Sequence, residues 1–197
     1  ANGLNASKAT GSYIYDQRRL SYFGRIQYDY EGKYLLSAML RRDASTKFGP
    51  NNRVAYFPSA TAGWVISDES FMSGFDFIDR LKLRVSYGIL GSDKIGNYRY
   101  ISQLNGEAQY VFDGELVSGT AIGPLANPNI KWEESEQFDV GIDFKILNNR
   151  LDINADYFIK NTNDLLIPAV PVSGIFGTSA PGAESPTVNA GTVQNKG

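Results

Sequence analysis

Phe138-Asp139-Val140-Gly141-Ile142-Asp143-Phe144-Lys145-Ile146-Leu147-Asn148-Asn149-Arg150-Leu151-Asp152-Ile153-Asn154-Ala155-Asp156-Tyr157-Phe158-Ile159 holds two alternating runs of apolar and polar residues around a short polar break. Phe138, Val140, Ile142, Phe144 and Ile146 alternate with Asp139, Gly141, Asp143 and Lys145. Leu151, Ile153, Ala155, Tyr157 and Ile159 then alternate with Asp152, Asn154 and Asp156. A period of two belongs to a β-strand, whose successive side chains point to opposite faces. Leu147-Asn148-Asn149-Arg150 between the two runs reads as a tight turn, because asparagine tolerates left-handed backbone.

The same period recurs outward from this hairpin. Leu81, Leu83, Val85, Tyr87 and Ile89 share one face of an earlier strand, and Arg80, Lys82, Arg84 and Ser86 the other. Leu20–Tyr30 and Tyr34–Asp43 form a further pair around Glu31-Gly32-Lys33. Tyr56–Ser67 is another strand candidate, weakened near its start by Pro58, which lacks a ladder donor. Residues 68–79 connect it to the next strand, with Ser67-Asp68-Glu69 placed to cap one helical turn. The connections 44–54, 90–132 and 161–188 are long, whereas 31–33 and 147–150 are tight. Within the longest, a hairpin is expected around Tyr98–Leu104 and Tyr110–Phe112. Residues 161–188 read as irregular, and Asn189–Gly197 as the entry to another strand.

Strands of about 9–11 residues, with short turns at one end and long loops at the other, describe an all-β transmembrane antiparallel barrel. A soluble β-sandwich would alternate too, but its strands average about 5–6 residues. Tyr28, Tyr30 and Tyr34 flank one turn, as an interfacial aromatic girdle requires.

Composition narrows the chemistry. The 197 residues include no histidine and no cysteine, which excludes an imidazole base, a disulfide framework and ordinary zinc, haem or iron–sulfur ligation. A net charge of -2 argues against nucleic acid. No apolar run is long enough for a transmembrane helix, and Ala1–Lys8 contains no signal-peptide core. The chain is therefore a mature protein, a processed one or part of a longer one. Gly88–Gly96 lacks the ending of a phosphate loop. Glu134 and Glu136 share a strand face, yet strand-end charge explains them better than glycoside hydrolysis. No cofactor, metal or catalytic residue is expected. Tyr98, Tyr100, Tyr110 and Phe112 are the loop aromatics placed to stack on a ligand or to anchor their loop.

Several ordered blocks carry a resemblance. Arg41-Arg42-Asp43-Ala44-Ser45-Thr46-Lys47-Phe48-Gly49, Tyr56–Phe71, Leu81–Gly88, Asn127-Pro128-Asn129-Ile130-Lys131-Trp132-Glu133, Phe138–Phe144, Leu147–Leu151, Asp156–Phe158 and Asn189–Gly197 together resemble the SusC/RagA-type TonB-linked outer-membrane transporters. The match is weakest in loops 92–126 and 165–188. The resemblance implies that residues 1–197 belong to the C-terminal half of a barrel of about 22 strands, without signal peptide, plug, TonB box or final strands. It implies import of oligosaccharides or peptides across the bacterial outer membrane, a SusD-type surface lipoprotein as lid and energy delivered by TonB through the plug. Long loops would be extracellular and short turns periplasmic. Leu83, Val85, Tyr87, Val140, Ile142, Phe144, Ile153 and Tyr157 would face the lipid bilayer; Arg25, Arg84, Asp139, Asp143, Asp152 and Asp156 would face the lumen. A soluble carbohydrate-binding or adhesin-like β-domain, a carboxylate-only hydrolase, and a barrel portion held as component or client of a larger outer-membrane assembly remain the competing readings.

Overall fold

The computed structural model describes residues 16–176 and 184–197; the N-terminal octapeptide lies outside them. Seven strands form one antiparallel sheet. In chain order the strands are β1 (Arg19–Tyr30), β2 (Tyr34–Ser45), β3 (Val54–Val65), β4 (Ile78–Ser92), β5 (Leu104–Phe112), β6 (Glu115–Ile122), β7 (Glu133–Ile146), β8 (Leu151–Asn163), β9 (Leu166–Ile167), β10 (Val188–Asn189) and β11 (Thr192–Lys196). The sheet order is β1-β2-β3-β4-β7-β8-β11; β5 pairs with β6, and β9 with β10.

Register carries the alternation across the sheet. Tyr28, Leu36, Ala62, Val85, Val140 and Tyr157 lie in one row, and Ile26, Ala38, Ala60, Tyr87, Phe138 and Ile159 in the next. These rows belong to an apolar face. Ile26 is 76% exposed and Tyr157 52%, so no part of the described chain covers it. An uncovered apolar face of this extent is not left in water. On the opposite face, one row runs Gln27, Ser37, Thr61, Ser86 and Asp139, and the next Asp29, Leu35, Gly63, Arg84, Gly141 and Asp156.

Three tight ends follow from local backbone chemistry. Glu31 and Gly32 both take positive φ between β1 and β2, and Leu147, Asn148 and Asn149 do so between β7 and β8. Asp113 and Gly114 do the same between β5 and β6, the signature of a primed hairpin turn. The hairpin therefore turns at Asp113-Gly114; the expected first arm, Tyr98–Leu104, is largely turn and irregular backbone. Pro58 is tolerated within β3 because the pairing with β4 begins one residue later, at Ser59 opposite Gly88.

The 66–77 connection corrects a second expectation. Two short 3₁₀ turns, Ile66–Asp68 and Ser70–Met72, form there without any side-chain cap. Glu69 instead turns to the strand ends. Its Oε1 accepts from Tyr34 Oη at 2.6 Å and Trp64 Nε1 at 3.0 Å, and its Oε2 lies 3.7 Å from Lys33 Nζ. Tyr34 stacks on Trp64 and lies 6.3 Å from Tyr30. One carboxylate thus joins the aromatic row at the short-turn end.

The Tyr34 hydroxyl, then the Trp64 indole, hold the Glu69 carboxyl below the usual carboxylate range. A lowered folded-state pKa stabilises above the ordinary carboxylate pKa, and that contribution is lost as pH falls through the lowered value. In thermal melts of the whole barrel, wild type should exceed Glu69→Gln at neutral pH. The gap should close on acidification; a gap constant with pH would contradict this role.

Candidate functional site

Two polar constructions stand out, one on the polar face and one at the loop end. On the polar face, Arg84 on β4 donates from Nε to both oxygens of Asp143 at 3.1 and 3.0 Å, and from Nη2 to Oδ1 at 2.9 Å. The same Nη2 reaches Asp156 Oδ1 at 2.9 Å. Asp156 lies two strands away, on β8. Gly141 stands between them in the register, opposite both Arg84 and Asp156. A Cβ on Gly141 would run into the Asp156 carboxylate and the Arg84 guanidinium. This glycine is therefore the gap through which one arginine bridges three strands.

The other charged candidates arrange around this bridge. Lys145 and Asp152 are direct cross-strand partners with a 3.0 Å ion pair. Arg25 donates to Ser37 Oγ at 3.2 Å. Arg25, Asp29, Lys82, Arg84 and Asp139 line a groove of about 530 Å³. The side chains of the Arg84 network remain 23–43% exposed, so its effect on stability is modest and its chief result is a wet, ordered charge lattice. Among the described residues no cluster of acidic side chains is arranged to hold a metal ion.

The loop end carries the only apolar cluster of fully buried side chains among the described residues. Phe48, Phe57, Ile130 and Trp132 pack together, with Tyr100, Ile89, Ile95 and Leu166 around them. Fully burying each such side chain stabilises by roughly 1.5–3 kcal/mol. Asp43, wholly buried, takes Arg41 Nε at 3.0 Å and Arg19 Nη2 at 3.3 Å on the same oxygen. Arg19 also lies over Trp132 at 5.7 Å, and Arg41 over Phe57 at 5.4 Å. Asp93 accepts from Ser45 Oγ at 2.9 Å and lies 3.6 Å from Arg19 Nη1. Asparagines fasten the loops to this base: Asn52 donates to the carbonyls of Asn129 and Ile130, Asn127 to Thr187, and Asn189 to Lys131 and Asp164. In the sequence most of these residues stand only within short motifs. Their structural task was hidden because it depends on contacts between loops far apart in the chain.

The loop aromatics divide. Tyr100 packs against the buried cluster, its ring beside Gly49, and Tyr98 takes a left-handed backbone, with φ of 59°. Tyr110 and Phe112 lie on the β5–β6 hairpin, 73% and 70% exposed.

The family model for the TonB dependent receptor-like beta-barrel matches residues 1–197. A TonB-dependent receptor of Formosa agariphila, designated P3, is 36% identical over 186 residues, which is 94% of this chain and 18% of that protein. TonB-dependent receptor SusC of Bacteroides thetaiotaomicron is 35% identical over 183 residues, 90% of this chain and 18% of its own length. The RagAB peptide importer in its closed-closed state superposes with a TM-score of 0.77 at 30% identity, over 90% of this chain and 18% of that one. The chain thus spans about a fifth of the length of its relatives.

Gly141→Ala should break the reach of Arg84 to Asp156 while leaving the Arg84–Asp143 pair. In a double-mutant cycle, Asp156→Asn should then cost less in the Gly141→Ala background than in wild type. Equal costs in both backgrounds would show that Gly141 is not the passage.

Proposed function

Because the chain belongs to the TonB dependent receptor-like β-barrel family, whose members are outer-membrane transporters and receptors rather than enzymes, we propose that it is a wall segment of an energised importer for oligosaccharides or peptides. The observation that carries the reading is the two-faced ladder: uncovered apolar rows on one side and an arginine–aspartate lattice on the other. In hydrocarbon every backbone donor must be paired, and a continuous antiparallel sheet achieves this only by closing into a barrel. The similarity to the TonB-dependent receptor SusC and to the RagAB peptide importer supports the transport, and the latter supports a peptide among the solutes.

In this reading residues 1–197 are part of the barrel domain, and plug, TonB box and remaining strands lie elsewhere in the protein. The apolar rows touch the lipid bilayer. Arg25, Arg84, Asp139, Asp143, Asp152 and Asp156 line the lumen, where fixed charges order water and meet the plug or the solute. Short turns lie in the periplasm and long loops outside. The exposed Tyr110 and Phe112 contact either solute or a SusD-type lipoprotein lid, and TonB supplies energy through the plug.

Two measurements test this. Deleting the whole gene should abolish cellular uptake of a labelled oligosaccharide or peptide growth substrate, and a proton-gradient uncoupler should have the same effect. Uptake that survives deletion would overturn the reading. In a membrane refolding titration of the full barrel, Val85→Arg should cost roughly 2–4 kcal/mol if its row lies near mid-bilayer. Arg84→Ala, one residue away on the other face, should cost less; the reverse order would count against the face assignment.

A further inference from the structure

Three loops meet around a cleft of about 360 Å³ that the ladder and the lumen lattice do not use. Its walls include Lys47 from the loop after β2, Lys94 and Arg99 from the connection after β4, and Leu166, Pro168 and Thr187 from the β9–β10 region. Three cations line it and no carboxylate does. Asp93, next to Lys94 in the chain, is committed elsewhere. The Asp93 carboxylate receives Ser45 and pairs with Arg19, and only its backbone carbonyl takes Lys47 Nζ, at 3.0 Å. Arg99 Nη1 holds Glu184 at 2.5 Å, and among the described residues its other donors meet no carboxylate. Lys94 has no ion-pair partner among the described residues. Leu166 and Pro168 give the cleft an apolar flank, where water screens charge less than in bulk.

Among the described residues Lys47 and Lys94 have no carboxylate partner and Arg99 has Glu184, so three cations share one counter-charge and a bound anion relieves their repulsion. We propose that this cleft is a subsite for the oxyanion, sulfate or carboxylate, of a soluble acidic solute arriving from the loop side. Glu184 is the internal carboxylate at its edge and competes for Arg99. Guanidinium offers a planar fork to such an oxyanion, and the two ammonium groups add point charge. The solute's role as cargo rests on the transporter reading; the anion site does not.

The test uses the full-length protein in nanodiscs of zwitterionic lipid, with equilibrium dialysis of radiolabelled inorganic sulfate at constant ionic strength. Wild type should bind sulfate, and a soluble oligoglucuronate should displace it. Lys94→Gln should weaken sulfate roughly tenfold, the loss of one charge-assisted contact. Lys94→Arg should retain binding, and Glu184→Gln should tighten it. Equal sulfate affinity in wild type and Lys94→Gln would overturn the proposal. So would displacement by diphosphoryl lipid A but not by oligoglucuronate, which would make the ligand a lipid phosphate. A protein that binds sulfate yet imports nothing would leave this site standing and sink the transport reading instead.

Discussion

Hydrocarbon supplies no water to a peptide group, so each backbone N–H and C=O within a bilayer must find its partner in the protein. The rest of this structure depends on that constraint. It demands a ladder in which every strand has two neighbours, and the pleat of the ladder then sends alternate side chains to opposite solvents. Rows such as Tyr28–Leu36–Ala62–Val85–Val140–Tyr157 fit that demand: in the proposed barrel, contact with lipid tails takes the place of a buried core. The polar face is then free to carry charges. The Arg84 bridge over Gly141 joins β4, β7 and β8 there without any demand on the lipid side.

The loop end follows a different rule. It is stabilised as a soluble domain is, by burying Phe48, Phe57, Ile130 and Trp132 and by setting Arg19 and Arg41 against the buried Asp43. Gly91 belongs to this packing, since any Cβ there would enter the Phe57 ring. The long connections are therefore tied at their base, and their exposed elements, the β5–β6 hairpin above all, stand on a rigid platform. At the opposite end Glu69 ties the 3₁₀ turns to Tyr34 and Trp64. The ladder is thus fastened at both rims by side chains of quite different chemistry.

The strands were legible in the sequence because a period of two survives in single residues, and the division of charged and apolar positions could be placed on faces from it. Strand length was legible only where both faces kept their character. The starts of β7 and the end of β4 escaped because Glu134, Glu136 and Gly91 interrupt the apolar row beyond the greasy belt. The β5–β6 turn is encoded in Asp113-Gly114, whose positive φ angles close the hairpin, and not in the spacing of the aromatics. In the sequence Gly141 is one small residue in a polar row; its function appears only when register sets Arg84 and Asp156 on either side of it. Asp43, Asn52 and Glu69 each have a partner distant in the chain, Arg19, Asn129 and Tyr34, that no local pattern encodes.

The central claim is that one face of this sheet meets lipid and the other meets water. Residues 1–197 contain no cysteine, so once any cysteine elsewhere in the protein is replaced by serine, single cysteines at positions 137–146 other than 141 report their own surroundings. In the whole protein in its native membrane, a water-soluble maleimide should label the odd positions and spare the even ones. Labelling with no period of two, or with the even positions favoured, would contradict the account.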